Sequence, residues 1–258
     1  MQTRSYWTYN NMTFRDVDFG PTAGGSFWQT CPLVALFDPS VAYVWEQNFF
    51  EAPDTTNTFT VVEDAGAAGT DAIQDTLGGV YKHFCDGDDN DEAYLISKGE
   101  HWKIAAGKSL WFEARVAIVE GNINDANAGF GLSDAAGANM LVDNGAGPAA
   151  SYDGFSFWKI ENSLDMNFET SNAATQTGGS LSTNHTSGTF ANYGCWVKTE
   201  SASDTVAVCT PYINGTAGTA RNLTIAGLEE MHFWIGVKSD GNAEESFLID
   251  YVKIVQIR

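Results

Sequence analysis

The sequence predicts an all-β chain folded as an antiparallel two-sheet β-sandwich behind an irregular N-terminal arm. Three observations predict it. Period-two alternation of apolar and polar residues recurs along the chain, no segment carries a convincing amphipathic helical period, and short Gly- and Asn-rich connections separate the alternating runs. The chain has 258 residues, of which 43% are hydrophobic, enough for one large sandwich with a packed core. Its 8 Trp, 9 Tyr and 16 Phe, with 26 Gly and only 6 Pro, suit many strands joined by tight turns.

Residues 1–45 read as the arm. Tyr6, Trp7, Tyr9, Phe14, Phe19, Phe27 and Trp28 lie there without sustained periodicity, and Pro21, Pro32 and Pro39 interrupt any long strand. Side chains this apolar pack either on their own sandwich or on a neighbouring subunit, so these seven are the candidate assembly contacts. Residues 46–258 form the sandwich domain. VAYVWEQNFF and NTFTVVED begin the strands, and GGVYKHFC and EAYLISK flank an acidic stretch. HWKIAAG leads into LWFEARVAIVEG, where Leu110, Phe112, Ala114, Val116 and Ile118 share one face and Glu113 and Arg115 the other. NAGFGLSD, GFSFWKIE, LDMNFETS, GCWVKTE and TVAVCTPYING follow, the last containing the hairpin signal Asn214-Gly215. AGTDAIQDTLGGV offers a helical turn or two, and GLSDAAGANMLVDNGAGPAAS is too polar and glycine-rich to be a strand throughout.

Two alternating runs close the chain. Met231, Phe233, Ile235 and Val237 share a face; then Phe247, Ile249, Tyr251 and Val255 alternate with Leu248, Asp250, Val252 and Ile254. Opposite Phe233 and Phe112 stand Trp234 and Trp111, which are open to three readings: covered core, protein interface or sugar-stacking platform.

Thirteen basic against 33 acidic residues leave a formal charge of -20. A field of that sign repels phosphate backbones and anionic bilayers, so neither nucleic acid nor membrane is an expected partner. The opening MQTRSYWTYNNMTFRD has no apolar run of the secretory kind, and no apolar stretch is long enough to span a bilayer. The expectation is a protein made in a host cytoplasm. Cys31, Cys85, Cys195 and Cys209 include no CxxC pair and read as buried thiols.

No catalytic spacing is found. Asp86, Asp88 and Asn90 have the one-three-five spacing of a calcium loop, but Asp91 stands where the glycine belongs and Ser97 where the bidentate glutamate belongs. The stretch reads either as a looser oxygen-ligand site or as a hydrated turn. Glu161, Asp165 and Glu169 invite a glycosidase reading, yet Asn162-Ser163 looks like a turn between them. His83, His101, His185 and His232 share no ligand or nucleophile spacing.

Several segments in order, DNDEAYL, GKSLWFEARVAI, GFGLSD, GFSFWKI and FLIDYVKIVQI, together resemble tailed-bacteriophage structural proteins with a concanavalin A-like, laminin-G-like jelly-roll fold. The resemblance covers roughly residues 28–258, including the CPL-x6-DPS element from Cys31 to Ser40. It implies a non-enzymatic virion component: a capsid decoration protein on the phage head, bound through the arm and a sandwich edge. Its partners would be the major capsid protein and copies of itself, with a trimer as the expected oligomer. The alternative is a glycan-binding, lectin-like module of a phage fibre or tail. Related sandwich modules hold a structural calcium ion with a last-strand carboxylate; the matching position is Asp250, with Asp91 or Glu46 as partners.

Overall fold

The computed structural model describes residues 27–63, 71–74, 78–121, 126–143, 147–241 and 243–258, and residues 6–9 and 12–15 as backbone only. In chain order the strands are β1 (Tyr6–Tyr9), β2 (Met12–Arg15), β3 (Ala42–Gln47), β4 (Phe59–Glu63), β5 (Ala72–Gln74), β6 (Val80–Cys85) and β7 (Glu92–Ser97). Then come β8 (Leu110–Glu120), β9 (Ala126–Ser133), β10 (Leu141–Val142), β11 (Gly147–Pro148), β12 (Gly154–Lys159), β13 (Asp165–Asn172) and β14 (Thr175–Asn184). The remainder are β15 (Ala191–Lys198), β16 (Val206–Ile213), β17 (Thr216–Ala217), β18 (Arg221–Thr224), β19 (His232–Ser239) and β20 (Glu245–Ile257). A 3-10 turn at Phe27–Thr30 and one short helix, α1 (Leu33–Phe37), precede β3. Among the described residues no helix is long and apolar enough to cross a membrane.

Two antiparallel sheets stack face to face. One runs β14-β13-β12-β9-β19-β7-β4; the other runs β17-β16-β15-β8-β20-β6-β5, with β18 on β16 and β3 on β20. Between them lies an aromatic core. Phe112 meets Phe155 edge-on at 5.5 Å, Phe130 stacks on Phe157 at 5.4 Å, and Phe168 packs 4.9 Å from Phe157. Each of these rings is fully buried, and burial of one phenylalanine is worth roughly 1.5–3 kcal/mol.

β8 keeps the expected phase, with Leu110 to Ile118 inward. β20 does not. Its pairing with β8 shifts register between Ile249 and Tyr251, and one extra residue in a strand reverses the face of everything beyond it. Phe247 and Ile249 therefore enter the core before the bulge, and Val252 and Ile254 after it. Tyr251 instead lies on the outer face, donating its hydroxyl to Glu113 Oε1 at 2.7 Å. One other expectation is corrected: the segment at 72–74 is a strand paired with β6 rather than a helical turn. HWKIAAG, ahead of β8, forms isolated bridges at Trp102 and Ala105. Asn214-Gly215 makes the expected hairpin, with φ of 50° and 79°, the left-handed pair that such a turn needs.

Both outer faces are covered by the chain itself. Trp111, 3% exposed, sits under the 27–41 segment with Phe27, Cys31, Ala35 and Val255, and its indole donates to Thr30 Oγ1 at 2.8 Å. Trp234, fully buried, lies under residues 136–141 and 149–152, in a cluster with Tyr94, Ile96, Met140, Leu141 and Tyr152. Glycines make room for it: a Cβ on Gly129 would come within 2.8 Å of the Trp234 ring, and Gly236 carries Tyr94 in the same way.

One buried ionic group ties the sheets together. Lys159 of β12 points inward and pairs with Glu120 of β8 at 2.6 Å, and Glu120 also meets His185 Nε2 at 3.1 Å. Burial raises the Glu120 carboxyl, but hydrogen bonds from His185 and Lys159 outweigh it and hold the group below its ordinary range.

Three substitutions have expected outcomes. A Cβ on Gly131 would lie 2.2 Å from the Phe155 carbonyl oxygen, so Gly131→Ala lowers stability by about 2 kcal/mol or more in urea titration. Gly137→Ala, whose nearest neighbour is 4.0 Å away, is neutral or stabilising by up to about 1 kcal/mol. Because the Glu120 carboxyl is depressed in the folded state, its stabilisation is complete above the unfolded value and fades as pH falls through the folded one. Glu120→Gln strands a buried Lys159 charge and costs about 3–5 kcal/mol at neutral pH. That gap narrows when urea midpoints are compared from about pH 6 to about pH 3.

Candidate functional site

The expected calcium residues are not brought together. Asp250 sits at the β20 bulge and ion-pairs with Arg115 of β8. Glu46 of β3 pairs with Lys253 of β20 at 3.1 Å. Both are cross-strand pairs on the nine-stranded sheet, where a neighbouring strand already supplies the cation. Asp91 belongs to the turn before β7 in the other sheet, where it gathers with Asp86 and Asp88. A joint site of Asp91, Asp250 and Glu46 is thereby corrected.

Of the arm residues, Phe27 and Trp28 pack on the chain's own sandwich. Phe27 is 2% exposed, lying against Gly194 and 5.1 Å from the Tyr212 ring. Trp28 donates its indole N–H to Glu113 at 2.8 Å and lies under Lys253. Phe27 is thus buried within the chain, and Trp28 is held on the sheet while staying half-buried. Tyr6–Tyr9 and Met12–Arg15 pair as a hairpin; the side chains of Tyr6, Trp7, Tyr9 and Phe14, and the whole of Phe19, lie outside the described residues. The expected boundary at 45/46 falls within β3, which pairs along β20.

The glycosidase candidates also separate. Glu161 lies in the turn whose Asn162 has φ 54°, while Asp165 opens β13 and Glu169 lies four residues along it. Four residues of strand span about 13 Å, beyond the carboxyl separations that retaining or inverting hydrolysis requires. Glu169 is moreover occupied: it accepts from the Tyr152 hydroxyl at 2.8 Å and from Gln176 Nε2 at 3.3 Å. Burial raises its carboxyl despite that hydroxyl bond.

An open polar cleft of about 420 Å³ lies at the rim of the seven-stranded sheet. Its floor is Glu92 of β7 and Lys238 of β19, directly paired in register, and its walls include Val62, Asn90, Asn139 and Asp143. Glu92 is the anchor. It accepts the Asn139 backbone N–H at 2.9 Å, the Tyr94 hydroxyl at 3.0 Å, and pairs with Lys238 at 3.6 Å. The Tyr94 hydroxyl in turn accepts Leu141 N–H at 3.0 Å. Burial, then the charge of Glu92, raises the Tyr94 phenol above its ordinary range, so it stays a neutral donor. The same contacts that fix Asn139 and Leu141 of the cover therefore shape the cleft wall. Asn139 is held at φ 59°, the left-handed region that asparagine tolerates.

Asn139 Oδ1 lies 3.4 Å from Lys238 Nζ, and the Asn90 side-chain oxygen is buried with no hydrogen-bond partner. The cleft thus presents an ammonium, amides and carboxylates close together, with no aromatic ring among its lining residues. Such a set can grip hydroxyl groups; it has no positioned nucleophile. A second groove of about 260 Å³ runs between β13, β14 and β18, lined by threonines and by Asn172 and Asn222. Asn172 is spent there, donating to the carbonyls of Thr224 and Ala226 at 2.9 Å each.

No family model matches the chain, and no curated protein matches it. Solved structures do. The Emp46p carbohydrate recognition domain aligns with TM-score 0.54 at 12% identity, over 81% of this chain and 94% of that one. Peanut lectin aligns with TM-score 0.53 at 12% identity, over 83% and 97%. An endo-1,3-beta-glucanase from Streptomyces sioyaensis aligns with TM-score 0.55 at 9% identity, over 84% and 96%. The fold is the concanavalin A-like, legume-lectin type of sandwich. At such identity the likeness reaches the fold and no further.

The signal for the cleft was present in the sequence only as the acidic run ending in Glu92 and the lone Lys238 in an apolar strand. What joins them is the β7–β19 register. The four cysteines are free and buried. Burial pushes the thiols of Cys31 and Cys85 up to about 12, leaving almost no thiolate at neutral pH. Labelling of the native protein by a thiol-reactive disulfide reagent should accordingly be slow at pH 8, and should reach four equivalents only after unfolding; rapid labelling of the native chain would contradict that burial.

Proposed function

We propose that this chain is a non-catalytic glycan-binding module whose ligand sits in the cleft between Glu92 and Lys238. The observation that carries the reading is the cleft itself: a rim pocket in which an ammonium, two asparagine side chains and carboxylates converge on a rigid sheet floor. The carbohydrate recognition domain and the lectin among the structural neighbours support it. The glucanase neighbour is hydrolytic by name, but the separation of Asp165 from Glu169 argues against hydrolysis here.

Ligand class follows from charge. Glu63, Glu92 and Asp143 face a single Lys238 across the cleft, so a neutral or amino sugar fits, and a uronate or sialate meets like charge. The capsid-decoration reading, with a trimer on a phage head, rests on the sequence resemblance alone. Glycan binding is equally suited to a virion fibre or tail, so a phage setting is compatible with both. Calcium at Asp250 has no support in the geometry.

The test is a glycan array probed with the full chain, followed by titration of the best neutral or amino glycan. Lys238→Gln and Asp143→Asn should each weaken binding about tenfold, the loss of one charge-assisted hydrogen bond. Absence of any glycan binding, or unchanged affinity in both variants, would overturn the proposal. Product release from the bound glycan would overturn its non-catalytic part.

A further inference from the structure

We infer that the turn before β7 is a site for a hard divalent cation, built from Asp86, Asp88 and Asp91. The three carboxyl groups each offer an oxygen, and those oxygens all lie within 4.8 Å of one another. Oxygens bound to one calcium ion at about 2.3–2.6 Å stand at most about 4.6–5.2 Å apart, so the cluster has the size of a coordination sphere. The decisive observation is Asp91. It is 8% exposed, and its Oδ2 is buried with no hydrogen-bond partner. A buried carboxylate oxygen without a donor is costly unless a cation meets it.

Among the described residues no lysine, arginine or histidine forms an ion pair with Asp86, Asp88 or Asp91. The backbone nonetheless holds the turn in place. Asp88 N–H donates to Asp86 Oδ1 at 3.1 Å, and Asp91 N–H to the Asp88 carbonyl at 3.1 Å. Asn90 N–H donates to the Ser239 carbonyl at 2.9 Å, and Ser239 N–H to the Asp91 carbonyl at 2.8 Å. The backbone that carries the carboxylates is thus held before any ion arrives, which lowers the ordering cost of binding. An all-oxygen, all-anionic set selects calcium-like ions over softer metals. The site stands apart from the glycan reading, because none of its three carboxylates lines the cleft.

The test uses the full chain, stripped with a chelator and dialysed, then titrated with calcium chloride by calorimetry and followed by thermal melting. One ion should bind, and calcium should raise the melting temperature of the wild type. Asp91→Asn and Asp88→Asn should each weaken calcium at least tenfold and remove the thermal shift. Asp88 is exposed, so Asp88→Asn decides the matter even where Asp91→Asn fails to fold. Asp240→Asn, in the separate group of Asp89, Asp143 and Asp240, should leave the affinity unchanged. No heat at millimolar calcium, wild-type affinity in Asp88→Asn, or loss confined to Asp240→Asn would each overturn the inference.

Discussion

The arrangement of this molecule depends on the burial of Trp234 over Gly129 on the outer face of the seven-stranded sheet. The seven-stranded sheet is apolar on both sides: Phe233, Ile235 and Val237 face the common core, while Trp234 and Tyr94 stand on the opposite face. Leaving the outer pair in water would forfeit several kcal/mol of burial. Gly129 keeps the surface low for the Trp234 ring and Gly236 for the Tyr94 ring, and Met140, Leu141 and Tyr152 close over the pair. Once that cover is in place, the middle of the sheet is unavailable to any ligand. Open polar surface survives at the rim, where Glu92 clamps the edge of the cover to the sheet.

A parallel solution protects the other sheet. There the segment from Phe27 to Val41 covers Trp111, and Glu113 accepts hydrogen bonds from both Trp28 and Tyr251. Aromatic residues that, read singly, suit an interface are thereby used to seal the sandwich against itself. The buried Lys159–Glu120–His185 group adds a polar tie between the layers. Such a tie contributes specificity of register more than net stability, since desolvation offsets much of its attraction.

Much of the fold was legible because strand alternation is a local property. β8 is an example: its five inward residues can be counted along one segment. β20 shows where locality fails, for the bulge near Asp250 inverts the phase and no residue type announces it. β14 was missed because Thr175–Asn184 is a largely exposed edge strand with no apolar alternation to detect. The site was harder. Asp91 was marked by its acidic neighbours, but its partners Asp86 and Asp88 were adjacent in sequence while Asp250 and Glu46 were drawn from a distant sheet. Ligand pairing across sheets is a matter of topology, which a linear pattern does not carry. Lys238 and Asn139 became visible as a pair only through the β19 register and the left-handed turn that carries Asn139.

Charge gives these pieces a common logic. A chain with a formal charge of -20 carries many carboxylates on and between its strands, and each group must find a cation, a donor or solvent. Asp250 and Glu46 found Arg115 and Lys253; Glu92 found Lys238 and a backbone amide. The measurement that bears most directly on this account is a crystal structure of the protein with an oligosaccharide bound. Sugar density between Glu92 and Lys238, with Met140, Leu141 and Tyr152 still seated over Trp234, is what the account predicts. Sugar stacked on a bared Trp234 from which Met140, Leu141 and Tyr152 have moved away, or resting in the Asn172 groove, would contradict it.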